Sequence, residues 1–160
     1  TVPTLPKRLL EGADARLELG GTVFEFRHRG GGHTPGDMMV WLPHAKVAFA
    51  GDIVYVDRLL AVLPVSSTRA WLDAFTDLEH WAPHRIVPGH GRVTDLPAAR
   101  SQTRAYLEAL RTHMKHAVDQ GVDISEAVKS FDARPFLHLS SAAELNPGNA
   151  SRTYLEVERE

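Results

Sequence analysis

Three glycine-flanked segments carry residue types that can hold a metal ion: Gly32-His33-Thr34-Pro35-Gly36-Asp37, Gly51-Asp52 and Val87-Pro88-Gly89-His90-Gly91. In each, a metal-ligand type follows an apolar, strand-like run, so a rigid base presents the donor while glycine lets the backbone turn and approach closely. The chain has no cysteine, which excludes a thiolate site and leaves only nitrogen and oxygen donors. Neutral imidazoles from His33 and His90 with the Asp52 carboxylate suit zinc, and histidine and carboxylate donors also accept iron or manganese. The steps from 33 to 52 and from 52 to 90 are too long for a local finger and ask for a site assembled from the ends of several strands. Singly, each Gly-His or Gly-Asp is common turn chemistry; together and in order they make a candidate centre.

Other residues are weaker candidates. Tyr55 and Asp57 follow Asp52 closely, where a tyrosine hydroxyl or a carboxylate could meet a substrate, and packing with turn capping is equally open to them. Asp37 reads as a cap for its own loop. His113 and His116 share a helical face at i and i+3 and read as a solvated helix end. His44, His80, His84 and His138 have no partner pattern and read as surface or packing residues. Trp71, Phe75 and Trp81 read as the cover of a sheet, and Met38-Met39 as core. Neither Gly-x-Ser-x-Gly nor a phosphate-cradling glycine loop occurs, which disfavours serine hydrolase and nucleotide-binding chemistry.

The elements that must position these residues follow from periodicity. Residues 1–16 read as a Pro-rich, polar leading arm with a short turn around Lys7 to Leu10. From Arg16, Leu17 and Leu19 alternate with charged residues up to Gly20-Gly21, and Val23, Phe24 and Phe26 complete a β-hairpin. Met38 to Leu42 and Val47 to Ala50 suit a second hairpin around Pro43-His44-Ala45-Lys46. Thr68 caps an expected helix carrying Trp71, Leu72, Phe75 and Leu78. Arg85-Ile86-Val87 is a short strand that stops at Pro88-Gly89. Asp95 with Pro97 opens a long helix that Gly121 ends; Asp123 with Glu126 resembles a capping box, and Asn146-Pro147 opens a terminal helix. The reading is α+β, β-hairpins followed by helices.

Composition bounds the rest. The 160 residues make at most one domain, and 18 basic against 20 acidic residues leave a net charge of −2, without the excess that draws a protein to nucleic acid or anionic lipid. No apolar run approaches a membrane-spanning length and no signal segment is present in this stretch. The expected setting is therefore the cytoplasm or periplasm, with neither nucleic acid nor membrane as partner.

The three segments resemble the later metal-binding motifs of the metallo-β-lactamase fold hydrolases, over roughly Leu17 to Met114. The resemblance implies that His33 is the third histidine of the first metal site, that Asp52 bridges both metals and is the catalytic carboxylate, and that His90 is the last histidine of the second site. It also implies one or two zinc ions and a hydrolase that attacks an ester, lactone, thioester or amide by metal-bound hydroxide. The stretches Val40-Trp41-Leu42-Pro43, Asp52 to Arg58 and Asn149 to Glu156 resemble the metallohydrolases associated with quinoprotein alcohol dehydrogenase relay systems.

The family's earlier His-x-His-x-Asp-His is absent from these residues. Carried over, the pattern leaves His33 and Asp52 for one metal and Asp52 and His90 for the other, against the three protein ligands usual at catalytic zinc. The expectation is a single partial domain (1–160), the C-terminal half of an αββα sandwich, with a motif-bearing region at 17–118 and a C-terminal helical extension at 119–160. With two ligands per metal it is expected by itself to bind zinc weakly or not at all and to be inactive, and to self-associate, because a half-sandwich leaves a sheet face or edge uncovered. The alternative is a non-catalytic binding or assembly module that keeps the later half of the fold.

Overall fold

The computed structural model describes Leu9 and residues 11–160; of the turn expected around Lys7 to Leu10, all but Leu9 lies outside them. Strands β1 (Asp14–Leu19), β2 (Thr22–Arg27), β3 (Met39–Leu42), β4 (Val47–Tyr55) and β5 (Arg85–His90) form a sheet in that spatial order. The first four run antiparallel, while β5 lies parallel to β4 after a crossover through helix α1 (Thr68–Trp81). The first hairpin begins at Asp14 rather than Arg16, because Asp14 pairs with Arg27 in backbone register and as an ion pair.

Alternation divides the sheet into two faces. Met39, Trp41, Ala48, Ala50 and Ile86 are buried in a core shared with Trp71, Phe75 and Leu78 of α1 and Tyr106, Leu107, Leu110 and Met114. Trp81 stacks on Trp41, 5.6 Å between ring centres, so α1 covers the sheet as its aromatic spacing predicts. On the other face Phe26, Val40, Phe49 and Val87 line up in register across four strands, and Phe49 is 44% exposed.

Strand β4 continues past Ala50 to Tyr55, and β5 past Val87 to His90. Between the pairs Gly51 with Pro88 and Tyr55 with His90, β4 advances four residues while β5 advances two. That irregularity holds Asp52, within a strand that the apolar pattern alone ends too early; bulges of this kind re-aim side chains beside functional sites.

The expected long helix is present as α2 (Leu96–Ala99), a π-helical turn (Arg100–Arg104) and α3 (Ala105–Asp119), with the Asp95 carboxylate capping the Ala98 N–H. The π turn sets consecutive residues against the end of β4. The Thr103 hydroxyl donates to the Tyr55 carbonyl and accepts from the Tyr55 N–H, and Gln102 Oε1 accepts from the Asp57 N–H. Helix α4 (Ile124–Ser130) is capped by Asp123.

Two helix starts differ from the sequence reading. Ser67, not Thr68, is the N-cap of α1, because Thr68 is the first helical residue and turns its buried hydroxyl to Glu156. Helix α5 (Ala142–Val157) begins four residues before Asn146 and carries Pro147 inside it. The hydrogen bond proline cannot make is offset by burial of Ala142, Ala150, Tyr154 and Val157. No helix of the described residues is long and apolar enough to cross a membrane.

Candidate metal centre

His33 stands on a loop closed by its own residues. Asp37 accepts from the Thr34 N–H (3.0 Å) and the Thr34 hydroxyl (2.7 Å), and the Asp37 N–H reaches the Thr34 carbonyl. Gly32 precedes His33 because the backbone passes too close to the core for a side chain: a Cβ there would lie 2.7 Å from Ile53 Cδ1 and 3.3 Å from Trp71 Cγ. The His33 ring packs edge-on against Trp71, whose indole N–H donates to the Ile53 carbonyl. Its Nδ1 lies 2.8 Å from the Ala61 carbonyl. A carbonyl only accepts, so in the neutral ring Nδ1 holds the proton and Nε2 keeps its lone pair, the tautomer a metal-ligating histidine needs.

Asp52 and His90 are brought together by the paired ends of β4 and β5. The Asp52 carboxylate faces both histidines, with Oδ2 3.6 Å from His33 Nε2 and Oδ1 3.6 Å from His90 Nε2. Gly89 makes room for it, since a Cβ there would sit 1.9 Å from Asp52 Oδ1. The His33 side chain is 13% exposed, Asp52 32% and His90 40%, so solvent and solutes reach the centre from the β5 side.

The His90 ring stacks on Tyr55 at 4.6 Å. Tyr55 is 2% exposed, and burial, reinforced by the Asp52 charge, pushes its hydroxyl well above the ordinary tyrosine range. It is a neutral phenol beneath His90. Asp57 lies farther along, in the left-handed region at φ 64°, with its carboxylate on Arg92. Arg58 has no role in the sequence reading, yet its guanidinium lies 3.3 Å from His90 Nδ1. An arginine only donates, so His90 holds its proton on Nε2, opposite to His33, and coordination through Nε2 requires Arg58 to give up that contact. Nothing in the type or spacing of Arg58 separates it from the chain's other arginines. The remaining histidines lie elsewhere: His28 meets the Asp37 carbonyl and His113 the Ala127 carbonyl, while His44, His80, His84, His116 and His138 are exposed.

The donor set fits part of a metal centre. Two ligands at tetrahedral angles around zinc, with bonds of about 2.0–2.1 Å, stand about 3.3 Å apart, close to both 3.6 Å separations. Among the described residues no three histidine, cysteine or carboxylate side chains converge on one ion. His33 and Asp52 would hold one ion, and Asp52 and His90 a second, at two protein ligands each.

The family model for the metallo-β-lactamase superfamily matches residues 6–90. The chain belongs to that superfamily. Among solved structures, a metallo-β-lactamase from Pontibacter korlensis is 28% identical with a TM-score of 0.54, covering 59% of this chain and 46% of its own. The DIM-1 metallo-β-lactamase is 27% identical with a TM-score of 0.55, covering 64% and 48%. The stereoselective inverting sec-alkylsulfatase Pisa1 from Pseudomonas sp. shares 18% identity but covers 94% of this chain and 26% of its own at a TM-score of 0.68, a likeness of fold that includes the C-terminal helices. No curated protein matches. The chain spans about half the length of the metallo-β-lactamases it resembles, and its five-stranded sheet followed by helices is a partial metallo-β-lactamase fold.

Proposed function

We propose that this chain contributes His33, Asp52 and His90 to a dinuclear zinc centre in a hydrolase acting on an ester, lactone, thioester or amide. The observation that carries the reading is the Asp52 carboxylate turning one oxygen to each histidine at equal distance. Bound zinc supplies Lewis acidity and activates water at neutral pH. His33 offers Nε2 because Ala61 occupies its Nδ1 proton, Asp52 spans the two positions, and the neutral Tyr55 phenol supports the His90 ring from the protein side. Asp37 is committed to Thr34, so Asp52 is the carboxylate left to bind at the centre. The remaining ligands belong to a His-x-His-x-Asp-His segment supplied by the rest of the protein.

The first test is the coding sequence upstream of Thr1: that motif within about a hundred residues is expected, and its absence removes the enzyme reading. The second is hydrolysis of ester, lactone, thioester and amide probes by the protein that includes it. Turnover lost on chelation, restored by zinc and reduced about 100-fold or more in His33→Ala and Asp52→Asn is expected. Turnover indifferent to chelator or to His33→Ala overturns the proposal.

A further inference from the structure

The loop that leaves β4 is gripped from the far end of the chain. Asn149, fully buried on α5, accepts from the Val62 N–H at 2.8 Å through Oδ1 and donates to the Leu60 carbonyl at 2.8 Å through Nδ2. One of these backbone groups can only donate and the other only accept, so the amide has a single orientation. It pairs with the backbone on both sides of Ala61, as a neighbouring strand would. The Ala61 carbonyl is the acceptor for His33 Nδ1. Arg152, on the next turn of α5, donates to the Val62 carbonyl at 2.7 Å. The Tyr106 hydroxyl accepts from Asn149 Nδ2 and donates to Asn146 Oδ1, which holds the amide in turn.

We propose that Asn149 is a positioning residue for His33: it locks the Leu60–Val62 backbone so that the Ala61 carbonyl keeps the His33 proton on Nδ1 and leaves Nε2 bare toward Asp52. This rests on the reading of His33 as a metal ligand. A neutral imidazole has one proton for two nitrogens, and the fixed acceptor decides which nitrogen remains a ligand. Hydrogen-bond partners of metal-binding histidines carry about 10–100-fold in metal affinity. Asn149 acts one step further out, through a carbonyl it does not touch, so its loss is expected at about the lower end, 10-fold.

The experiment reads the tautomer directly. Long-range proton–nitrogen correlation spectra of the metal-free chain are recorded at a pH where the ring nitrogen signals themselves report a neutral imidazole. The parent chain is expected to show His33 as the Nδ1–H tautomer. Asn149→Ala should show a mixture, with His90, whose proton is set by Arg58, unchanged. In a zinc titration followed on the same signals, the His33 midpoint should rise about 10-fold in Asn149→Ala. A merely structural role would lower the unfolding midpoint without moving either reading, and a folded Asn149→Ala chain with the parental tautomer and zinc midpoint overturns the proposal. If Asn149→Ala does not fold, Asn149→Leu, which fills the same volume but makes neither backbone hydrogen bond, decides: His33 signals and midpoint identical to the parent overturn the proposal. Zinc that leaves His33 of the parent chain unmoved leaves this proposal to the tautomer comparison, which stands without metal, while the metal reading is decided on the protein that includes the remaining ligands.

Discussion

Replacing Gly89 by alanine tests whether close approach builds the centre. Gly89 does not occupy the left-handed region, so alanine can adopt its backbone and the objection is spatial. At such a position Gly→Ala ordinarily stabilises by about 0.4–1 kcal/mol through the unfolded chain, so the sign of the effect is itself diagnostic. Here the new Cβ would lie 1.9 Å from Asp52 Oδ1 and 2.8 Å from both Asp52 N and Gly51 C. Restoring contacts of about 3.4–3.5 Å moves the carboxylate oxygen by about 1.5 Å and the β4 backbone by about 0.6 Å from β5. The first shift takes Asp52 out of its symmetric place between His33 and His90. The second overpacks paired strands, at about 1–3 kcal/mol. Urea unfolding should show a midpoint lower by about 0.5–1.5 M for a slope of about 2 kcal/mol/M. In Asp52→Ala the carboxylate part of the clash disappears while the backbone part stays, so the double variant should be more stable than additivity predicts by about 0.5–1 kcal/mol. A Gly89→Ala chain as stable as the parent, with unchanged His33 and His90 signals, would refute the reasoning.

Four further outcomes follow from particular contacts. Glu156 accepts from the Thr68 N–H and hydroxyl, the Ser67 hydroxyl and the Arg69 N–H at the start of α1; Glu156→Ala should cost about 2–4 kcal/mol in urea unfolding and Glu156→Gln about half of that. Arg58→Met frees His90 Nδ1, so less zinc should be needed to shift the His90 signals in a titration, while His33 responds as before. Burial raises the Tyr106 pKa, against a smaller lowering by Asn149, so its contribution is complete below the ordinary tyrosine pKa of about 10 and is lost as pH rises beyond it; Tyr106→Phe should flatten the fall of stability above about pH 10 by about 1.4 kcal/mol per pH unit. The apolar row Phe26, Val40, Phe49 and Val87 should drive self-association of this chain, and Phe49→Lys, at the exposed centre of that row, should shift light scattering toward monomer.

The parts of the fold that repeat locally were legible in the residues. Alternation in Leu17 to Phe26, the turn at Gly20-Gly21, the spacing of Trp71, Phe75 and Leu78, and the caps at Asp95 and Asp123 all act within a few residues of themselves. The convergence of His33, Asp52 and His90 was legible in the glycine-flanked donor types and their order and in the resemblance they carry, but in no local period, since no local pattern states that residues 52 and 90 are neighbours. What was misread depended on distant partners. Thr68 reads as a cap until Glu156 is known to occupy its hydroxyl, and Pro147 reads as a helix start until the burial of α5 is known to outweigh the hydrogen bond it lacks. The bulge at Asp52 and the π turn at Arg100–Arg104 leave no trace in hydrophobic periodicity, because both are departures from a period.

Those departures share a direction. The π turn brings Gln102 and Thr103 to Asp57 and Tyr55, the segment between α4 and α5 brings Ser140 to Asp57 and Leu59, and α5 brings Asn149 and Arg152 to Leu60 and Val62. The backbone groups of residues 55–62 are therefore held by three separate segments, the π turn, the bridge at Ser140 and helix α5, and this stretch carries the Tyr55 ring under His90, the Arg58 guanidinium beside it and the Ala61 carbonyl at His33. Strands β4 and β5 position Asp52 and His90 and a loop positions His33, while both histidine rings meet a stretch anchored by buried Val56, Leu59, Leu60 and Val62 and by these hydrogen bonds. Preorganisation of a metal ligand to within about 0.5 Å needs such external support. The C-terminal helices are thus part of the centre's construction, although none of their side chains touches His33, Asp52 or His90 through a hydrogen bond.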